Sequence, residues 1–166
     1  MKKSISVLVI VLMILFSSFA FGAGSGTTVT ADNVFSNPVN GSPSRVVEVS
    51  FKADDTDGSV PDTTINNNTT GVVHGSLEGW HLWEVFIDCT SGVTPTDDSD
   101  MYVYQDGNDL IGGNGVDKVD GSTVNSVYPG IDGSGPYPRP VSGDLILTIS
   151  NNSVNSAVGI ITLTFK

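Results

Sequence analysis

The sequence predicts an all-β protein: a single β-sandwich of about seven to nine short strands, immunoglobulin-like or jelly-roll-like, preceded by a signal peptide. Three observations predict it. The N-terminus has a secretory pattern, the rest of the chain is rich in Val, Thr, Ser, Asn, Asp and Gly, and no part of it keeps a 3.6-residue apolar period. Val and Thr favour strands, whereas Asn, Asp and Gly favour the turns between them.

Residues 1–22 have the three parts of a signal peptide. Two lysines near the start are followed by the mainly apolar segment 5–16 and then by small residues that end at Gly22. The apolar segment is short for a membrane span, although an uncleaved anchor is the alternative. We therefore predict export to the periplasm, cell surface or medium. Residues 23–166 form the mature β-sandwich domain, with no membrane insertion after signal removal.

The predicted strands follow from alternating apolar residues bounded by turn residues. They are residues 27–34, 45–52, 60–65, 78–89, 101–105, 144–150 and 157–165. Pro61 confines the third strand to a sheet edge. In the fourth strand both faces are largely apolar, with Trp83 on the same face as Val85 and Ile87, which predicts a central strand.

The end of the chain predicts a long loop and a closing hairpin. Residues 129–143 contain four prolines and predict an irregular loop. The last two predicted strands should pair with each other across residues 151–156. An eight-stranded outer-membrane fold is the competing architecture, but the Asp/Asn/Gly-rich middle of the chain lacks the lipid-facing alternation and aromatic girdles that it needs.

The mature domain is strongly acidic. Removal of two lysines with residues 1–22 takes the net charge from −11 to −13. Nucleic acids and anionic membranes bind clustered Lys and Arg, so we expect neither as a partner. The same charge favours solubility and is compatible with divalent cations.

Cys89 is the single cysteine, so no intrachain disulfide can form even though the export route is oxidising. The stability of the domain must therefore come from its apolar core. A lone thiol in an apolar strand is typical of a small buried hydrophobe, and an intermolecular disulfide is the alternative.

A glycine-rich segment predicts a calcium site. Residues 112–120 fit the G-G-x-G-x-D-x-U-x nonapeptide of calcium-binding β-rolls, in which turns offer oxygen ligands to a hard cation. The candidate metal ligands are Asp106, Asp109 and Asp117. In β-rolls each calcium lies between successive repeats, and this chain has one repeat and a fraction. A Gly/Asp turn without metal is therefore the alternative.

Aromatic residues predict a second kind of site. Trp80, Tyr102 and Tyr104 are candidate glycan contacts, because aromatic rings with a polar tip suit half-wet surfaces on which sugars stack. Core packing is the alternative for these rings and is favoured for Trp83, whose predicted face is apolar.

The chain offers little for catalysis. Its two histidines, His74 and His81, are not paired with a nucleophile by any motif, and no hydrolase elbow, zinc motif, phosphate loop or dinucleotide fingerprint is present. We therefore predict no enzyme activity, no catalytic residue and no cofactor apart from the calcium named above.

Three motifs carry a resemblance to a known group of proteins. A Pro-Thr-Asp turn at 95–97 precedes a strand, a D-G-x-D-x-x-G-G turn follows at 106–113, and a G-x-L-x-L-x-I-x-N segment lies at 143–151. With these motifs most of residues 45–165 resembles small uncharacterised phage and prophage structural-type β-sandwich proteins. The resemblance implies a building block of a particle or surface assembly. The signal peptide favours an exported or host-surface relative.

Together these observations predict a non-enzymatic exported structural or interaction module, associated with a surface or a particle. We expect protein partners or self-association. A calcium- or glycan-binding β-sandwich module is the alternative.

Overall fold

The computed structural model describes residues 25–36, 43–65, 76–130 and 136–166. The predicted signal peptide, residues 1–22, lies outside these ranges. The described residues form strands, turns and irregular segments without a helix, so none of them belongs to a helix that could cross a membrane. The all-β prediction is confirmed for this part of the chain.

The described residues form ten strands, and every strand pair is antiparallel. Two of the ten have only two residues each, which explains why about seven to nine were expected from the sequence. The strands are β1 (Gly26–Ser36), β2 (Pro43–Lys52), β3 (Thr63–Ile65), β4 (His81–Asp88), β5 (Asp100–Gln105), β6 (Asn108–Asp109), β7 (Asn125–Val127), β8 (Arg139–Pro140), β9 (Leu145–Ser150) and β10 (Val158–Phe165).

The strands form two sheets. The six-stranded sheet has the order β1-β2-β10-β4-β7, with β8 also paired to β4, and the four-stranded sheet has the order β3-β9-β5-β6. Buried apolar side chains of both sheets belong to one cluster, which includes Val49 of β2, Ile65 of β3, Met101 of β5 and Leu163 of β10. Two antiparallel sheets that share one core are consistent with the predicted β-sandwich.

Eight of the strands are paired in a nested pattern. β2 pairs with β10, β3 with β9, β4 with β7, and β5 with β6. The chain therefore runs out along four strands, turns between β5 and β6, and returns along their partners. β1 lies outside this set and is hydrogen-bonded to β2.

The core side of the six-stranded sheet follows from simple alternation in β2. Val47, Val49 and Phe51 are fully buried or nearly so, as the two-residue period of a strand predicts. Arg45 continues this inward row and is also buried; its guanidinium Nη1 donates a hydrogen bond to the carbonyl oxygen of Ser76 at 2.8 Å. A buried guanidinium requires such partners because desolvation of an unpaired charge is costly.

The predicted closing hairpin is wrong. β9 lies between β3 and β5 in the four-stranded sheet, whereas β10 lies between β2 and β4 in the six-stranded sheet. The connection between them crosses from one sheet to the other, and Asn152 fixes it there. Its amide Nδ2 donates to the carbonyl of Gly58 at 2.6 Å, and its Oδ1 accepts from the backbone N–H of Thr96 at 2.9 Å.

The central position predicted for the fourth strand is confirmed, but the predicted orientation of Trp83 is wrong. β4 pairs with β10 on one side and with β7 and β8 on the other. Leu82 lies opposite Phe165 while Glu84 lies opposite Thr164, so β4 has one extra residue at Trp83. This β-bulge shifts the alternation, which buries Leu82 and leaves Trp83 41% exposed.

Gly159 of β10 lies where the core leaves no room for a side chain. A Cβ at this position would overlap Cys89 Sγ and the ring of Phe51, both of which are buried. We therefore expect Gly159→Ala to lower the free energy of unfolding by about 1–3 kcal/mol, because added methyl groups strain a packed core. Urea unfolding measures the change. Gly143→Ala, whose Cβ meets no atom within 4 Å, is the control, and equal effects of the two would contradict this packing.

Cys89 makes stability depend on pH in the alkaline range. Burial raises the pKa of its thiol to about 12, and the negative charges of Asp88 and Asp120 act in the same direction. An unfolded thiol ionises at about pH 8.5, so the free energy of unfolding should fall as the pH rises from about 8.5 towards 12. Cys89→Ala lacks this ionisation, and the stability difference between the wild type and this variant should shrink as the pH rises. A difference that stays constant would show that the thiol is not buried.

Candidate functional site

The exposed aromatic side chains of the described residues lie in one region. They are Trp83, Phe86, Tyr128 and Tyr137, whereas the other large exposed hydrophobic side chains in these ranges are Val and Ile. Trp83 and Phe86 are on β4, Tyr128 directly follows β7, and Tyr137 lies two residues before β8 begins. Since β7 and β8 both pair with β4, the sheet brings these residues together on its outer face.

Trp83 faces outward because of the β-bulge in β4. Beyond the bulge, His81 and Lys166 exchange backbone hydrogen bonds of 2.9 and 3.0 Å, which returns the two strands to register. This places the Lys166 ammonium over the indole, 4.2 Å from the ring centroid of Trp83. A cation at that position is attracted by the electrons of the ring and helps to fix the orientation of the indole.

Tyr128 is positioned by the alternation of β7. Val127 is buried opposite Val85, so the next side chain, Tyr128, is directed to the outer face of the sheet. The carboxylate of Glu84 raises the pKa of Tyr128, through hydrogen bonding to the hydroxyl and through its negative charge. Glu84 therefore borders the hydroxyl edge of the ring, and 41% of the residue remains exposed.

Tyr137 is held by the backbone around it. Its N–H donates to the carbonyl oxygen of Pro129 at 2.7 Å, which closes the loop between β7 and β8. Pro136 and Pro138 flank it, and a proline restricts both its own φ and the conformation of the preceding residue. Tyr137 is 60% exposed in spite of this rigid backbone.

These elements enclose a half-open groove, which we call the aromatic groove. Its volume is about 230 Å³. It is lined by Trp83, Tyr128, Pro136, Tyr137 and Pro138. The walls are aromatic rings and proline rings, and polar groups of Glu84, Tyr128 and Lys166 lie beside them. Such a site can bind a flat apolar surface by stacking, while polar groups at the edge accept and donate hydrogen bonds.

The residues predicted to contact glycan do not form a common exposed surface. Trp80 packs against the core. Tyr102 and Tyr104 lie on β5 in the other sheet and stack on each other, with ring centroids 5.6 Å apart and an interplanar angle of 16°. All three are half-buried. The prediction of a glycan site at these three residues remains a prediction.

The residues predicted to bind calcium belong to one turn region, where Asp109 has a structural role. Its Oδ1 accepts hydrogen bonds from the backbone N–H groups of Val103 and Ile111 at 3.3 and 3.1 Å, and its Oδ2 accepts one from Gly113 at 2.7 Å. Asp106 and Asp117 are exposed turn residues with positive φ. The described part of the chain contains no group of three His, Cys, Asp or Glu side chains that could hold a metal ion. The calcium assignment remains a prediction from the sequence.

Two surface carboxyl groups, those of Asp97 and Asp120, influence each other's pKa. Hydrogen bonds from Thr123 and Ser122 lower the pKa of Asp120 to about 2, and the hydrogen bond to Asp120 together with its charge raises the pKa of Asp97.

Of the two histidines, His81 is an exposed residue at the start of β4, and His74 lies outside the described residues. Among the described residues, the neighbours of His81 across the sheet are Lys166, through the backbone, and Pro140 of β8.

Comparison with protein-family models, with curated proteins and with solved structures finds no match. The resemblance to phage and prophage structural-type proteins remains a prediction.

Sequence reasoning missed Tyr128 and Tyr137 as site residues. The sequence feature that could have indicated them is the neighbouring prolines: Tyr128 precedes Pro129, and Tyr137 lies between two prolines. A tyrosine whose backbone is fixed by neighbouring prolines loses little conformational entropy when it binds a ligand. The position of Trp83 had no comparable signal, since a β-bulge leaves no mark in the hydrophobic pattern.

Asp109 is expected to stabilise the turn after β5 whether or not calcium is present. Asp109→Ala leaves three backbone N–H groups without their acceptor, and we expect the free energy of unfolding to fall by about 1–3 kcal/mol. Asp106→Asn, at an exposed position that tolerates positive φ, is the control and should have little effect. Thermal unfolding with calcium and with chelator measures both. An Asp109→Ala variant with the Tm of the wild type would contradict the structural role, and a calcium-dependent rise in Tm that both substitutions abolish would support the calcium site.

Proposed function

We propose that this protein is a non-enzymatic, exported interaction module that binds its partner through the aromatic groove. The observation that carries the proposal is the concentration of exposed aromatic side chains on one face of the six-stranded sheet. Exposed apolar patches of this kind on soluble proteins mark interaction sites, and Trp and Tyr are the residues that most often dominate binding energy.

The arrangement of the groove supports binding more than catalysis. Trp83, Tyr128 and Tyr137 offer rings, and Glu84 and Lys166 are already engaged with Tyr128 and Trp83. Proton transfer needs an acid or base that is held at a reacting atom with a pKa matched to its task. In the groove the charged groups lie against the rings, where they orient the aromatic side chains and can also pair with polar groups of a ligand.

We also propose that the sandwich is of the jelly-roll type. The nested pairing of β2 with β10, β3 with β9, β4 with β7 and β5 with β6 supports this, because it corresponds to one long antiparallel hairpin rolled into two sheets. Jelly rolls occur in viral capsid proteins and in lectins. The fold by itself does not select between these functions.

A structural subunit of a surface or phage-like particle is the second candidate function. The observation that favours it is β1, an 11-residue strand at the edge of the six-stranded sheet. Within the described residues, one edge of β1 is paired with β2 and the other has no strand partner. Free edges of long strands are templates for pairing with a second copy of a chain.

Cell binding tests the interaction module. We expect the exported protein, labelled at its N-terminus, to bind intact cells of the organism that produces it or of an associated species, as measured by flow cytometry. Trp83→Ala and Tyr137→Ala remove ring surface from the groove and should reduce binding at least about tenfold, which corresponds to about 1.4 kcal/mol. Ile146→Ala, an exposed apolar residue of the other sheet, is the matched control. Equal binding of all four proteins would contradict the proposal.

Sedimentation velocity distinguishes the interaction module from the structural subunit. We expect the exported protein to sediment as a monomer at micromolar concentration. If it instead forms oligomers through β1, Thr28→Lys should dissociate them, because a charge on an edge strand opposes pairing. Oligomers that depend on β1 would contradict the proposal of an interaction module and support that of a structural subunit.

A further inference from the structure

We propose that the aromatic groove binds an uncharged carbohydrate, with one sugar ring of a longer chain stacked between Trp83, Tyr128 and Tyr137. This inference rests on the proposed function and names the ligand class of the same site. The pyranose ring suits the groove because it has an apolar face of C–H groups and an edge of hydroxyl groups.

The exposed ring area is too small for a stable interface with a second copy of the chain. A fully buried aromatic side chain contributes about 150–250 Å², so the four exposed aromatic residues of this face, which are 41%, 39%, 41% and 60% exposed, offer roughly 270–450 Å². A stable protein interface buries about 800 Å² on each partner. The groove therefore has the size of a small-ligand site.

The volume of the groove leads to the same conclusion. At about 230 Å³ and half-open, it is smaller than the roughly 300–1,000 Å³ of sites that enclose a drug-sized ligand. It can cover one ring while the neighbouring units of an oligosaccharide remain in solvent.

The sheet beneath the groove disfavours an extended peptide as the ligand. Peptides that bind sheets usually add a strand and so use backbone hydrogen bonds. β4 is paired on both sides, with β10 on one and with β7 and β8 on the other, so it has no free edge to offer. A peptide would have to bind through proline stacking alone, which makes a proline-rich peptide the competing ligand.

The polar groups beside the groove complement hydroxyl groups. The carboxylate of Glu84 accepts hydrogen bonds, the hydroxyl of Tyr128 both donates and accepts, and the ammonium of Lys166 donates. A sugar hydroxyl donates and accepts, so it can pair with each of them. The net charge of −11 repels acidic sugars, so a neutral sugar is the better ligand.

The groove is also organised before a ligand arrives. Lys166 lies over Trp83, Glu84 borders the hydroxyl of Tyr128, and the backbone N–H of Tyr137 donates a hydrogen bond to the carbonyl oxygen of Pro129. Rings that are already oriented lose little entropy on binding, which matters for a weak ligand with few contacts.

Tryptophan fluorescence tests the inference directly. The chain has two tryptophans, and Trp80 packs against the core, so a ligand in the groove should alter the emission of Trp83 alone. The probes are neutral oligosaccharides of glucose, mannose, xylose and N-acetylglucosamine, and a proline-rich peptide as the competitor. We expect saturable binding of at least one oligosaccharide to the exported protein.

Variants assign that binding to the groove. In Trp83→Phe the fluorescence response should disappear, and in Tyr137→Ala the Kd measured by calorimetry should rise at least about tenfold. Ile146→Ala should bind like the wild type. Tyr104→Ala tests the stacked tyrosine pair of the other sheet, and it should also leave binding unchanged. All variants should keep the Tm of the wild type within a few degrees.

Three results would overturn the inference. The first is that the protein binds only the proline-rich peptide and that the groove variants lose this binding. The ligand of the groove would then be a peptide, and the proposed function would remain intact. Oligosaccharide binding that is lost in Tyr104→Ala but kept in Tyr137→Ala would move the site to the other sheet. Binding of neither probe would exclude neutral carbohydrate as the ligand class, and the cell-binding measurement would then decide the proposed function separately.

Discussion

The pairing of β4 with β10 is the interaction on which the rest of the structure depends. It joins the central strand of the six-stranded sheet to the last strand of the chain, and it brings Val85, Ile87, Ile161 and Leu163 into the shared core. Because β10 also pairs with β2, the two ends of the domain are connected through this strand. The chain has one cysteine and so no internal disulfide, and a domain of this kind depends on burial for its stability.

The same strand pair creates the candidate site. One extra residue in β4 opposite Thr164 and Phe165 reverses the direction of Trp83 while Leu82 and Val85 remain in the core. β-Bulges redirect side chains at little cost to the sheet around them, and they are common beside functional sites. The bulge turns the indole of Trp83 outward, and Lys166 at the end of β10 lies over it. Tyr137 and the prolines around it also line the groove. Stability and the proposed binding thus depend on different faces of one strand.

Much of the fold could be predicted from the sequence, because alternation and turn residues are local signals. The inward row of β2 and the edge position of β3 after Pro61 follow directly from them. The partner of each strand is not a local property. β9 and β10 are adjacent in sequence yet lie in different sheets, and the bonds of Asn152 to Gly58 and Thr96 that hold their connection join residues far apart in the chain.

The sequence predicts the kind of side chain in the candidate site but not the position of the site in the fold. The sequence indicates that aromatic rings with polar tips are available for stacking, but the rings that meet come from β4 and from two positions in a later loop. Trp83 resembles a core residue in an alternating pattern, and only the pairing with β10 reveals the extra residue. Asp109 was a candidate calcium ligand in the sequence, and the structure shows that it accepts three backbone hydrogen bonds, a role that the sequence pattern does not indicate.

The accessibility of the two indole groups tests the central claim most directly. In a ¹⁵N-correlated NMR spectrum the two tryptophans give two indole N–H signals, assigned with Trp83→Phe, and a soluble paramagnetic agent broadens the signal of an exposed ring. We predict strong broadening for Trp83 and weak broadening for Trp80, because the bulge turns Trp83 outward and Trp80 packs against the core. Equal protection of both signals would contradict the bulge and, with it, the aromatic groove.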